Sequence, residues 1–307
     1  MIKIERIGDV LLVPNPKHGW ESRAVLNPAT VRVGDEIYML YRAVEGDNYS
    51  TIGFARLDRH GNILERRAQP VIKRELKEER RGCEDPRLVF LEGKYYIFYT
   101  AYDGTDCCVC VAATTDFRSF DKLGIIGPNI WDKDAMAFSE PVHGQIIYIH
   151  RIEPNIQFAY FDNMNHLLHP EKDYWSNYLA NIDQFTVLRP QFDWEASKIG
   201  GGAPPIKTQN GWLFIYHGVD KNLTYRAGAA LLDLKNPAKV IARLPYPILE
   251  PSRVYEKIGD VNNVVFPEGL ALFEDDLFVY YGAADRVIGW GKISLSALLS
   301  ELEKHSI

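Results

Sequence analysis

The chain has 307 residues, 46% of them hydrophobic and 25% charged, with a formal net charge of −6. That length suits one large propeller or barrel, and the mild acidity excludes an extended nucleic-acid groove or an anionic-membrane patch. Met1-Ile2-Lys3-Ile4-Glu5-Arg6 interrupts its apolar residues with charge, and no apolar run nears the roughly 18 residues of a membrane span, so a cytoplasmic protein is expected.

From the N-terminus onward, one pattern recurs. A polar opening leads a short strand, and a turn containing Gly or Asp then leads a strand rich in β-branched and aromatic residues. The first copy pairs Asn27-Pro28 with the strand ending Leu40-Tyr41-Arg42, followed by Ile52 to Asp58. The second pairs Glu84-Asp85-Pro86-Arg87 with Tyr95 to Thr100, and the third pairs Lys133-Asp134 with Ile146 to Arg151. The fourth pairs Gly201-Gly202-Ala203-Pro204 with Trp212 to His217, followed by Ala227 to Asp233. The fifth pairs Pro267-Glu268-Gly269 with Leu277 to Tyr281. Aligning Tyr41, Tyr99, His150, Tyr216 and Tyr280 gives a spacing of roughly 50 to 67 residues, the size of a four-stranded propeller blade with long loops. The expected fold is all-β, a five-bladed β-propeller, with residues 1–307 as a single domain.

Three segments stand outside the repeat. Lys73 to Arg81 reads as a solvated loop or short helix feeding into Glu84. Cys107-Cys108-Val109-Cys110 is spaced too closely for a zinc clip and reads as reduced thiols on a strand, so neither metal nor disulfide is expected. Near the C-terminus, Ser294 or Ser296 caps a short helix with Leu295, Leu298, Leu299 and Leu302 on one face.

If each opening lies on the innermost strand of its blade, Asn27, Asp85, Lys133, Asp134 and Glu268 meet around a central channel. The residues after the aligned aromatic position are Arg42, Thr100, Arg151, His217 and Tyr281. Three of these can be cationic, which points to an anion site.

Four segments carry a resemblance: Gly82-Cys83-Glu84-Asp85-Pro86-Arg87, Pro204-Pro205-Ile206-Lys207, Ile215-Tyr216-His217-Gly218-Val219 and Tyr280-Tyr281-Gly282-Ala283-Ala284-Asp285. In this order they resemble glycoside hydrolase family 130, which contains β-mannoside phosphorylases and some β-mannosidases on a five-bladed propeller. The resemblance implies that Asp85 is the general acid, its proton travelling through a sugar hydroxyl. It implies that Asn27, Arg42 and Asp285 hold the mannosyl unit, and Glu84, Arg87, Asp134 and Glu268 are placed in the same sugar-binding ring. Arg151, Lys207, His217 and Tyr225 match the phosphate-binding set, and Lys133 stands where some relatives place a further arginine.

The residue types fit an inverting phosphorylase. Phosphate is already a nucleophile, so one carboxylic acid and a cationic pocket suffice, whereas hydrolysis needs a second carboxylate to activate water. To act as an acid, Asp85 should have a raised pKa; Glu84 would help if it faced the site, but strand alternation lets it anchor Arg87 instead. The expected reaction is reversible phosphorolysis of β-1,2- or β-1,4-linked manno-oligosaccharides to α-mannose 1-phosphate, with inorganic phosphate as co-substrate and no cofactor. The compact length leans toward β-1,2. A β-mannosidase using Asp134, Glu140 or Glu268 as base is the nearest alternative, and a non-catalytic sugar-binding propeller is the other. Trp20, Trp131, Trp175, Trp194 and Tyr102 are candidates for stacking on sugar faces, and the mouth loops leave room for a homo-oligomer.

Overall fold

Short runs of β-branched and aromatic residues broken by tight turns form antiparallel meanders, and the computed structural model, which describes residues 1–307, is built from them. The first set comprises Ala24–Val33, Glu36–Val44, Ser50–Asp58 and Ile63–Arg66, and the second comprises Gly82–Leu91, Lys94–Tyr102, Cys107–Thr114 and Asp121–Ile126. A single parallel pair, Ser50 with Gly82, joins these two sets into one sheet. The third set is Lys133–Ala137, Ile146–Arg151, Ile156–Phe161 and Thr186–Leu188. The fourth is Lys198–Gly201 with Ile206–Lys207, then Trp212–Val219, Tyr225–Leu232 and Val240–Arg243. The fifth is Val265–Phe273, Asp276–Ala283 and Val287–Ser294, and its outermost strand, Glu5–Arg6, comes from the N-terminus.

The apolar core lies between sets rather than inside any one of them. Leu40 and Phe54 of the first set pack with Leu88 and Ile97 of the second, and Phe98 and Val111 of the second with Tyr148 and Phe161 of the third. Ile147 and Phe158 of the third meet Trp212 and Phe214 of the fourth, and Leu213 and Ile215 of the fourth meet Val265 and Val279 of the fifth. Tyr280 and Phe278 of the fifth then pack with Met39 and Tyr41 of the first. Each set therefore buries the faces of its middle strands against its neighbours, which is why strands such as Trp212–Val219 are almost continuously apolar.

A buried carboxylate repeats in four of the five sets. Glu21 accepts from the Tyr41 hydroxyl at 2.8 Å and pairs with Arg66, and Glu79 accepts from Tyr99 at 2.7 Å and pairs with Lys122. Glu195 accepts from Tyr216 at 2.9 Å and pairs with Arg243, while Glu256 accepts from Tyr281 at 2.8 Å and pairs with Arg6. The cation comes each time from the outermost strand, so the device ties the inner loop, the second strand and the outer edge together. The third set substitutes Asp132, His150 and Tyr178, joined at 2.9 Å and 2.8 Å. The device also corrects the repeat alignment: Tyr281, not Tyr280, is the counterpart of Tyr41. A Tyr-Tyr doublet offers either register to a sequence alignment, and the carboxylate chooses.

Outside the sets, Lys77–Glu79 is one turn of 3₁₀ helix, which buries Glu79. Cys107, Cys108 and Cys110 lie on a strand as free thiols, the first and last buried. Met164–Leu168, Tyr174–Ala180 and Ile182–Phe185 are short helices between the third and fourth strands of the third set. Ser294 caps the helix Leu295–Glu303 by accepting from the Ala297 N–H at 3.1 Å, and Leu298 and Leu302 are fully buried. No helix is long and apolar enough to cross a membrane.

Removing one repeated carboxylate strands a buried cation. Glu195→Ala leaves Arg243, whose side chain is 5% exposed, without its partner, a loss of about 3 to 5 kcal/mol. The expected result is a thermal midpoint lowered by roughly 6 to 10 °C; a change within about 1 °C would show that the device does not support the fold.

Candidate active site

The polar openings reach the centre through one backbone device. The strand register slips between Leu26 and Pro28, between Glu84 and Arg87, between Lys133 and Met136, and between Pro267 and Gly269. Each slip is a bulge that turns a side chain out of the strand's alternation. Asn27, Asp85 and Asp134 sit in these bulges with φ of 49°, 50° and 55°, and Asn and Asp are the side chains that best tolerate this left-handed backbone. The fourth set uses glycine instead, since a Cβ on Gly200 would collide with the Asp134 carboxylate and His217.

A cavity of about 210 Å³ lies over these bulges, and Asn27, Arg42, Asp85, Lys133, Asp134, Arg151, Tyr225 and Asp285 all line it. On one side, Asp85 Oδ1 accepts from Asn27 Nδ2 at 2.8 Å and from Arg42 Nη1 at 3.3 Å. Arg42 also donates to Glu84 Oε1 at 2.7 Å. On the other side, Arg151 pairs with Asp134 at 3.0 Å and Lys198 with Glu153 at 2.8 Å. Lys133 stands between the two sides, its Nζ 3.9 Å from Glu84 and 5.7 Å from the centre of the Trp131 ring.

The structure changes several expected positions. Lys207 is not in the cavity. Its half-exposed side chain is ion-paired to Glu140, and it pairs with Trp212 at the opposite end of the strand from His217. Lys198 takes its place, nine residues earlier on the preceding strand, and was missed because the resembling segment begins only at Pro204. Glu153 was missed too, lying two residues past the position read as cationic. Arg87 and Glu268 belong to the floor, where they are 1% exposed and neither lines the cavity. Arg87 donates to the carbonyls of Asp85, Gly201 and Gly202 at 3.1, 2.9 and 3.2 Å, and pairs with Asp134 at 3.0 Å and Glu268 at 2.8 Å. It is not anchored by Glu84, which lines a neighbouring cavity and holds Arg42. His217 is fully buried beneath Arg151, outside the cavity lining. Gly282, rather than Tyr281, now follows the aligned aromatic, and a Cβ there would collide with Asn27.

The electrostatics separate the carboxyls. Burial pushes the Asp85 carboxyl up, but Arg42, then Lys133 and Arg87, outweigh it and hold Asp85 below the usual range. The expectation of a raised value is therefore overturned, because three cations face this one carboxylate. Asp134 is lowered in the same way, burial losing to Arg151 and Arg87. Burial lifts Asp285 to about 6 against the pull of Arg42, with Asp85 adding repulsion. Burial also drives Glu268 well above the carboxylate range, since Arg87 is shared with Asp134. His217 falls to about 3 through burial and stays neutral at physiological pH.

Glu268 thus holds a proton in the folded protein that it gives up on unfolding, and stability contributed by that protonated form declines as pH rises from its unfolded value. Glu268→Gln keeps the shape and removes the titration. Its thermal midpoint should exceed the wild type's at pH 8, with the gain vanishing near pH 4. An equal loss at both pH values would mean that Arg87 needs an ionised Glu268.

Comparison with known proteins follows the same lines. The family model described as β-1,4-mannooligosaccharide phosphorylase matches residues 6–304. A 1,2-β-oligomannan phosphorylase of Thermoanaerobacter sp. (strain X514) is 38% identical over 303 residues, covering 94% of this chain and 96% of that protein. A β-1,2-mannobiose phosphorylase of the same organism is also 38% identical, over 309 residues, with the same coverage. The structure of β-1,2-mannobiose phosphorylase from Listeria innocua, in complex with β-1,2-mannobiose, superposes with a TM-score of 0.83 at 24% identity, covering 99% of this chain and 100% of that one. The fold is the all-β one of these proteins, and the chain belongs to glycoside hydrolase family 130.

Proposed function

We propose that the protein is an inverting β-mannoside phosphorylase that converts a β-1,2-linked manno-oligosaccharide and inorganic phosphate into α-mannose 1-phosphate and a shortened sugar. The observation that carries this reading is the division of one small cavity into an acid side, with Asp85, and a cationic side, with Arg151 and Lys198. Both Thermoanaerobacter relatives, named for β-1,2 linkages, support that linkage over β-1,4. The five strand sets are read as the blades of one five-bladed β-propeller formed by residues 1–307, a reading supported by the five cores, the last joining the fifth set to the first. Because the reaction consumes inorganic phosphate and releases a sugar phosphate, we place it in the cytoplasm.

In this mechanism Asn27, Arg42 and Asp285 hold the mannosyl ring against Asp85. Arg151, Lys198 and Lys133 bind phosphate through charge-assisted hydrogen bonds, Tyr225 adds its hydroxyl, and the group aims one oxygen at the anomeric carbon. Phosphate loosens Glu153 from Lys198 and Arg151 and brings its own negative charge beside Asp85. That charge opposes the three cations that depress Asp85 and favours its protonated form. The phosphate oxygen then bonds to the anomeric carbon as the glycosidic bond breaks. The leaving oxygen takes a proton that originates on Asp85, and inversion gives the α-phosphate. Asp85 Oδ1 is occupied by Asn27 and Arg42, which leaves Oδ2 to carry the proton. His217 supports Arg151 from below as a neutral ring.

Hydrolysis fits the site less well. Glu268 is neutral and outside the cavity, Glu140 is paired with Lys207 at the far end of the strand, and Asp134 is too strongly stabilised as an anion to take a proton from water.

With β-1,2-mannobiose, release of α-mannose 1-phosphate should require inorganic phosphate, and Asp85→Asn should lower kcat about 10²- to 10⁴-fold. Free mannose at the same rate without phosphate would contradict the reading. Separately, Lys198→Ala should raise the KM for phosphate about tenfold or more, with the KM for mannoside little changed. Lys207→Ala should change neither; the reverse pattern would restore Lys207 to the phosphate site.

A further inference from the structure

The cationic side of the cavity carries a carboxylate that anion binding alone does not call for. Glu153 lines the wall beside Arg151 and Lys198. Its Oε1 accepts from Lys198 Nζ at 2.8 Å and lies 3.4 Å from Arg151 Nη2. Arg151 already has the buried Asp134 as its counter-ion at 3.0 Å. A second carboxylate next to the same guanidinium weakens the pull on any anion that reaches it, and repels that anion directly. It helps only with an anion that has a proton to donate.

Glu153 is also held in place through its backbone. Ile152, the residue before it, is gripped on both sides by the buried Gln157 side chain. Its N–H donates to Gln157 Oε1 at 2.8 Å, and its carbonyl accepts from Gln157 Nε2 at 3.0 Å. Pro154, the residue after it, accepts from the Ile199 N–H at 3.1 Å, which couples the backbone of Glu153 to that of Lys198. A phosphate that displaces Glu153 from the Lys198 ammonium therefore leaves the carboxylate at the edge of the anion site. Both contacts of Glu153 use Oε1, and Oε2 is free to accept a hydrogen bond. The other carboxylates of the cavity are committed elsewhere. Asp134 places Oδ1 on Arg87 and Oδ2 on Arg151, while Asp85 and Asp285 lie on the acid side with Arg42.

We propose that Glu153 reads the proton on the incoming anion: its carboxylate accepts a hydrogen bond from the P–OH group of hydrogen phosphate, so the site takes phosphate and rejects sulfate of the same shape. The inference rests on the phosphorolytic reading of the cavity. Inorganic phosphate keeps at least one proton at neutral pH and sulfate keeps none. Only phosphate therefore turns Glu153 from a repelling neighbour into a charge-assisted acceptor. The same hydrogen bond orders the oxygens. With P–OH turned to Glu153, the unprotonated oxygens are left to the cations and to the anomeric carbon. The proton stays on the phosphoryl group throughout. Hydrogen phosphate dianion and protonated Asp85 thus give the sugar phosphate monoanion, the freed hydroxyl and ionised Asp85.

The test measures the KM for phosphate and the inhibition constant of sulfate against phosphate in the wild type, Glu153→Gln and Glu153→Ala. β-1,2-Mannobiose is kept saturating and ionic strength is fixed with sodium chloride. In the wild type, sulfate should inhibit at least tenfold more weakly than phosphate binds. Both variants should bind sulfate more tightly and phosphate more weakly, lowering the ratio of the two constants about tenfold. The Glu153 side chain is 42% exposed, so neither change threatens the fold, and calorimetric titration with each anion supplies the ratio for a variant too slow to assay. A general disturbance of the pocket moves both constants together and leaves their ratio unchanged. That result, or wild-type sulfate inhibition as strong as phosphate binding, would overturn the proposal and leave the phosphorylase reading intact. Turnover that is independent of phosphate would overturn both.

Discussion

One buried guanidinium organises the centre of this molecule. Arg87 comes from the second strand set, but its polar contacts end on Asp134 of the third, the carbonyls of Gly201 and Gly202 at the end of an inner strand of the fourth, and Glu268 of the fifth. The first set is drawn in through Asn27 and Arg42, which meet Asp85 two residues away. Five inner strands, four of them with slipped registers, would otherwise leave carbonyls and carboxylates facing one another across the axis. A planar, permanently charged group with several fixed donors bonds three of these carbonyls and Asp134 together, which a lysine could not.

The same arrangement distributes charge over the site. Because Arg87 serves two carboxylates, one of them, Asp134, stays ionised and can hold Arg151 upright at the cavity wall, while the other, Glu268, becomes neutral. The cationic side of the cavity therefore rests on a buried anion, and His217 supports it without adding charge. The acid side is the reverse, a carboxylate surrounded by cations that hold it below the usual range. In the proposed mechanism, phosphate acts both as nucleophile and as the charge that readies Asp85.

Much of this was legible in the sequence. The five strand pairs, their polar openings and the C-terminal helix follow from periodicity and turn residues. Asn27, Asp85, Asp134, Arg42, Arg151, Lys133, Tyr225 and Asp285 reach one cavity as expected. What could not be read was depth. Arg87 and Glu268 have the same composition signal as cavity residues, but a bulge in each inner strand decides which side chains point up and which point into the floor. Lys198 and Lys207 lie on two successive short strands, and only the pairing of each with Trp212–Val219 shows which of them meets the site. The outer strand Glu5–Arg6 was also hidden, since two paired residues carry no periodic pattern. The pKa of Asp85 depends on cations from distant parts of the chain and has no local signature.

The central claim is that the cavity exchanges a glycosidic oxygen for phosphate with inversion. The most direct measurement runs the reaction backward, supplying either anomer of mannose 1-phosphate with a β-1,2-linked mannosyl acceptor and following inorganic phosphate and the linkage formed. The account predicts phosphate release only from the α anomer, only when acceptor is present, and one new β-mannosidic bond for each phosphate released. Release of free mannose from the sugar phosphate without any chain extension would contradict it.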